Sequence, residues 1–177
     1  MLSNLELISN NEKSKSLSYR VKESISSYSQ DMSYIKTIKD IAEKNKDKNI
    51  RICFHESNDS ALHQMLILER RDSVYYPPHI HQNRDELHYV FEGCLEVHLL
   101  GMNGKREKSV LNEHDSTTFT FANAGKPHLT RPRSKYTIYL EVKNGPLSSF
   151  SKECIRPTLV KDMGELEYLD HLSEVFK

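Results

Sequence analysis

The sequence carries no surplus of charge: 25 lysines and arginines balance 25 aspartates and glutamates, for a formal net charge of zero. A chain so balanced has no basic stripe to hold nucleic acid or an anionic membrane as an obligate partner. It also lacks any apolar run approaching the length that spans a bilayer. The N-terminal MLSNLELISNNEKSKS has no apolar signal core, which argues against secretion. Cysteine is scarce. Cys53, Cys94 and Cys154 are odd in number and fall at no metal-ligand spacing, the pattern of reduced thiols in a cytoplasmic protein.

What is present, over 177 residues, is enough chain for one domain with extensions. Residues 1–13 are polar and aperiodic and read as a mobile tail. From residue 14 to 45, Leu17, Val21, Ile25, Tyr28, Met32, Ile35, Ile38 and Ile41 recur at steps of four and three. That is the stripe of a helix or helix pair, with a break expected at 27–31. Lysines there alternate with acids, unlike the stripe of a nucleic-acid-binding helix.

Near residue 50 the period changes to that of strands. RICFHE alternates, QMLILE is apolar enough for a buried strand, and SNDSA between them reads as a turn. VYYPPHIH, ELHYVFEG, CLEVHLLG, KSVLNEHD, STTFTFAN, KPHLTRP and KYTIYLEV supply further short strands, with NGK at 103–105 as a hairpin signal. Many short strands between closely spaced turns predict a sandwich or barrel. Met163, Leu166, Leu169 and Leu172, following Asp162, predict a terminal helix over 163–175. The expected division is a tail and helical extension over 1–48, a β-domain over 49–147, and an arm with a helix over 148–177.

The chemistry concentrates in PPHIHQNRDELHYVFEG. His79 and His81, two apart on a strand, aim both imidazoles to one face. The five-residue step to Glu86 breaks that parity, so a turn at Gln82, Asn83 and Arg84 must restore it. With His128 from FANAGKPHLTRP, the set is three imidazoles and one carboxylate, suited to a first-row ion such as iron, manganese, nickel or zinc. Each of these residues alone would be ordinary; their joint spacing is not. Gly93 is expected at a tight turn where a side chain would clash.

The spacing His79-x-His81-x4-Glu86-x6-Gly93 resembles the first motif of the cupin superfamily, small jelly-roll β-barrels that hold a metal. Asn123-Ala124-Gly125-Lys126-Pro127-His128 matches the second cupin motif at its glycine and histidine, though not at its leading proline. RICFH, QMLI, the Pro-His-x-His core and EVKNGP at 141–146 look like the WbuC-type cupin fold metalloproteins found in bacterial O-antigen gene clusters. This likeness covers roughly residues 36–147. The helical N-terminus is longer than in that family, and its tryptophan-containing closing segment is missing, since this chain has no tryptophan.

The resemblance implies a cupin jelly-roll β-barrel, a homodimer, and a small-molecule ligand, with a sugar or nucleotide-sugar of surface-polysaccharide assembly as the substrate class. An enzyme of the isomerase, epimerase or dioxygenase type and a non-catalytic metal- or small-molecule-binding module both fit. Beyond the four ligands, His88 shares the parity of Glu86 and is a candidate to line the pocket. Tyr75, Tyr76, Arg131, Tyr139 and Glu141 are further candidates, with a solvated arginine as the plainer reading of Arg131. Tyr139 and Glu141 share one face of their strand, inward or outward. His55 is a weaker candidate; His98 and His114 are expected at the surface, and His63 and His171 have no supporting pattern.

Overall fold

The structure, a computed structural model, describes residues 4–12, 15–22, 33–73, 78–100, 106–114, 117–147 and 154–155. Strands β1 (Leu5–Asn11) and β2 (Ser16–Val21) precede helix α1 (Ser33–Lys44). There follow β3 (Asn49–Cys53), β4 (Leu62–Arg70), β5 (Ile80–His81), β6 (Glu86–Glu92) and β7 (Cys94–Leu100). The chain continues through β8 (Arg106–Asn112), β9 (Phe119–Ala122), β10 (His128–Pro132), β11 (Tyr136–Asn144) and β12 (Cys154–Ile155).

Seven strands form one sheet in the order β1-β2-β3-β4-β11-β6-β9, and three form a second in the order β10-β7-β8. β5 pairs with β12 and is joined to β10 by an isolated bridge between His79 and His128. Strand alternation gives the large sheet two different faces. Ile50, Ile52, Leu66, Leu68 and Ile138 point one way and bury Ile35, Ile38, Ile41 and Ala42 of α1. Cys53, Met65, Ile67, Val90 and Tyr139 point the other way and meet Leu95, Val97 and Leu111 of the small sheet. QMLILE is therefore buried on both faces, as its unbroken apolar run requires. The result is three layers: helix, large sheet, small sheet.

The N-terminal reading needs correcting. Residues 5–11 form a strand, not a tail, and 16–21 form β2, antiparallel to β1 and parallel to β3. Only the second half of the expected helical stretch is helical. A step of four is even, so Leu17 and Val21 share a face in a strand as well as in a helix. SLSYRV also alternates, with Tyr19 on the same side, and these residues join the core under α1. The break at 27–31, the NGK turn and the 163–175 helix lie outside the described residues. No helix among the described residues is long and apolar enough to cross a membrane.

Candidate metal centre

The two histidine motifs are stitched together by main-chain bonds before any side chain is considered. His79 and His128 exchange N–H···O bonds of 3.0 and 2.9 Å. Gly125 donates its N–H to the carbonyl of His81 at 2.8 Å, and Ala124 donates to Asp85 Oδ1 at 2.8 Å. Gly125 has φ +76, a conformation open to glycine. The 82–85 turn is anchored from the other side by Arg84, buried, whose Nη2 donates to the carbonyl of Pro146. That turn is the one the parity break requires, and it swings Glu86 to the imidazoles.

The four residues converge. One nitrogen of each of His79, His81 and His128 and one oxygen of Glu86 lie within 4.8 Å of one another. His81 Nε2 is 2.9 Å from Glu86 Oε1, and His128 Nε2 is 2.9 Å from Oε2. His128 Nδ1 lies 2.9 Å from the carbonyl of Lys126, so as a donor there it turns Nε2 to the centre. His81, Glu86 and His128 are buried, while His79 is half-buried.

Whether these residues suit a metal is tested by what they lack. His81 is 3 % exposed, yet neither ring nitrogen has a hydrogen bond, because Glu86 Oε1 lies off the line of an N–H. Burying an imidazole without partners is unfavourable, and a cation at the centre would satisfy it. The donor set of nitrogens and one carboxylate suits iron, manganese, nickel or zinc. It fits.

Electrostatics support the same picture. Burial alone would raise the Glu86 pKa, but Lys143, His128, His81 and His88 together hold it well below the usual carboxylate range. Burial likewise opposes charge on His128, and the facing Glu86 carboxylate carries its pKa above the ordinary value. Glu86 is thus held as an anion at the centre of the group.

Around this centre the inner face of β11 presents Thr137, Tyr139, Glu141 and Lys143 in strict alternation. Glu141 stands opposite His88 and Lys143 opposite Glu86 in the β11–β6 ladder. Lys143 Nζ lies 2.8 Å from Glu141 Oε1 and 3.2 Å from Glu86 Oε1. The His88 ring, buried, sits 5.9 Å from that of Tyr139. Burial lowers the His88 pKa, against the pull of the Glu86 and Glu141 carboxylates. Deeper in, the Tyr139 hydroxyl donates to Glu69 Oε2 at 2.9 Å, and Thr130 Oγ1 to the same oxygen at 3.3 Å.

His88, Tyr139 and Glu141 therefore face the centre. Arg131 does not. It is exposed, on the alternate side of β10 from His128 and Thr130, so the solvated reading holds. Tyr75 and Tyr76 lie outside the described residues. His55 is buried and stacked on His63, ring centroids 4.2 Å apart, both held by backbone carbonyls. Burial first, then His63, lowers the His55 pKa to about 4. His114 is exposed as expected, but His98 is 2 % exposed and paired with Glu96 at 3.2 Å. Lys143 and Glu69 were the residues missed. Lys143 could have been found, because it continues the parity of Tyr139 and Glu141.

The sequence profile of a family described as Domain of unknown function (DUF6016) matches residues 30–111. No curated protein sequence matches the chain. Among solved structures, CapF with the inhibitor 3-isopropenyl-tropolone is similar at TM-score 0.53 and 11 % identity, covering 62 % of this chain and 32 % of that one. The capsular polysaccharide assembling protein CapF from Staphylococcus aureus is similar at TM-score 0.51 and 10 % identity, with coverage of 60 % and 31 %. The matched region thus spans about a third of the length of those proteins. At such identities the likeness concerns the fold, and the fold is that of the cupins.

Proposed function

We propose that His79, His81, Glu86 and His128 hold one divalent transition metal and that the chain acts on a small polar metabolite there. The observation that carries this reading is the convergence of four donor atoms within 4.8 Å around a buried His81 lacking hydrogen bonds. A bound ion would supply Lewis acidity, an activated water or a site for dioxygen. His88, Tyr139, Glu141 and Lys143 would meet the ligand beside it, a polar lining suited to hydroxyl groups. A sugar or nucleotide-sugar of bacterial surface-polysaccharide or O-antigen assembly is the substrate class, supported by the WbuC-type motifs and by fold likeness to a capsular polysaccharide assembling protein.

The working unit we infer is a homodimer. Tyr89 and Phe91 of β6 and Phe119 and Phe121 of the edge strand β9 are all exposed, a surface suited to a second copy. The free, buried thiol of Cys53 accords with a cytoplasmic setting.

The test is elemental analysis of the purified protein, followed by turnover of sugar-phosphates and nucleotide-sugars with iron, manganese, nickel or zinc supplied. One ion per chain with turnover supports the reading. One ion per chain with no turnover, and no binding of small anions or nitric oxide at the metal, defines a metal-binding module instead.

A further inference from the structure

Beside the four-residue centre lies a second convergent group. Glu86, His88 and Glu141 are all buried, and one donor atom of each lies within 4.8 Å of the others. Glu86 belongs to both groups. Its Oε1 faces His81 and Lys143, and its Oε2 faces His128 and, at 3.7 Å, His88 Nε2. A carboxylate shared in this way is how paired metal ions about 3.5–4 Å apart are bridged. His88 Nδ1 is buried and has no hydrogen bond. The Lys143 ammonium, however, already stands between the two carboxylates, 3.2 Å from Glu86 and 2.8 Å from Glu141.

We propose that Lys143 is the built-in counter-cation of this site: its ammonium takes the place of a second metal ion between Glu86 and Glu141, so that the chain accepts one divalent ion and not two. The inference rests on the four-residue metal reading. Two carboxylates buried this close need positive charge within bonding reach, since an uncompensated buried charge is strongly unfavourable. The fold supplies one unit of it from β11, two residues beyond Glu141. Without the ammonium, Glu86, His88 and Glu141 offer two carboxylates and an imidazole, a donor set that suits manganese or iron.

The experiment loads the full chain with Mn²⁺, removes loose ions by gel filtration, and counts metal per chain with electron paramagnetic resonance alongside. Wild type is expected to hold one ion with an uncoupled signal. Lys143→Met, similar in length but uncharged, should hold two with an exchange-coupled signal, and Lys143→Met with Glu141→Gln should return to one. If Lys143→Met does not fold, as judged by circular dichroism, Lys143→Gln carries the same comparison. One ion in the folded Lys143 variant, or two in wild type, overturns the proposal. No ion in wild type overturns the four-residue reading itself, and is told apart by that result.

Discussion

Tyr139 and Glu69 share a hydrogen bond of 2.9 Å inside the sheet layers, with both side chains almost wholly out of solvent. Burial raises the Glu69 pKa from 4.5 to about 7, although the bonds from Tyr139 and Thr130 pull the other way. The folded protein therefore keeps this proton through a range in which the unfolded chain has released it. Stability from this group is full below pH 4.5 and is lost as pH rises through 7, by about 3 kcal/mol in all. Glu69→Gln keeps an acceptor for Tyr139 and cannot ionise. Urea denaturation at pH 5 and pH 8 should show the variant gaining on wild type at the higher pH. Equal differences at both values would mean Glu69 titrates normally.

The four ligand candidates should act as a unit. His81→Ala and His128→Ala each remove one donor from the set and Glu86→Gln removes its negative charge, so affinity for the ion should fall at least about 100-fold, beyond the loss typical of supporting partners. Metal also stabilises the folded state in proportion to its binding, by about 4 kcal/mol at a thousandfold excess over Kd. Wild type should melt at a higher temperature with added metal than with chelator, and each variant should lose that difference. A variant that keeps both the metal and the thermal response removes its residue from the set.

Much of this centre was legible because its chemistry depends on spacing. His79 and His81 follow strand parity, and the step to Glu86 required the turn that Arg84 and the 123–127 segment hold in place. Gly93 announced a crowded turn. The N-terminal strands were hidden because Leu17 and Val21 are four apart, a step on which helix and strand agree. His98 was misplaced because its polar sequence neighbours suggested a solvent-facing stretch, whereas Glu96, two residues earlier on the same face of β7, is itself buried and pairs with it at 3.2 Å. Lys143 escaped notice because a lysine near a strand end ordinarily reaches water. Its parity with Tyr139 and Glu141 puts it on the inner face, but its pairing with Glu86 is a relation between distant strands that no local pattern contains.

The layered arrangement separates stability from the site. Ile38 of α1 is 0 % exposed and packs on the face of the large sheet turned away from the metal centre. Truncating it leaves a hole among Ile50, Ile52, Leu66, Leu68 and Ile138. Ile38→Ala should cost about 2–5 kcal/mol of folding stability. Because the ligands hang from β5, β6 and β10 on the other side, metal affinity below the unfolding range should not change. Calorimetric titration of the folded variant checks this, and a large loss of affinity would show that the helix layer shapes the site.

Gly93 joins β6 to β7 at φ +88, in a conformation that side chains strain to adopt. Space is short as well. A Cβ there would sit 2.5 Å from Ser134 Oγ and 2.7 Å from the carbonyl oxygen of Tyr136. The serine could rotate, but its hydroxyl already accepts from the Cys94 N–H at 3.0 Å and donates to the Tyr136 carbonyl at 2.6 Å. The carbonyl belongs to β11 and cannot move without shifting the strand that carries Tyr139, Glu141 and Lys143. Gly93→Ala should therefore lower stability by about 1–3 kcal/mol, and should disturb the metal centre at a distance through β11. Gly125 provides the contrast, since at φ +76 a Cβ there meets nothing within 4 Å. Gly125→Ala bears only the backbone strain, so Gly93→Ala should be the more destabilising of the two in parallel urea titrations; the reverse order would place the constraint in the backbone angle rather than in the contact with β11.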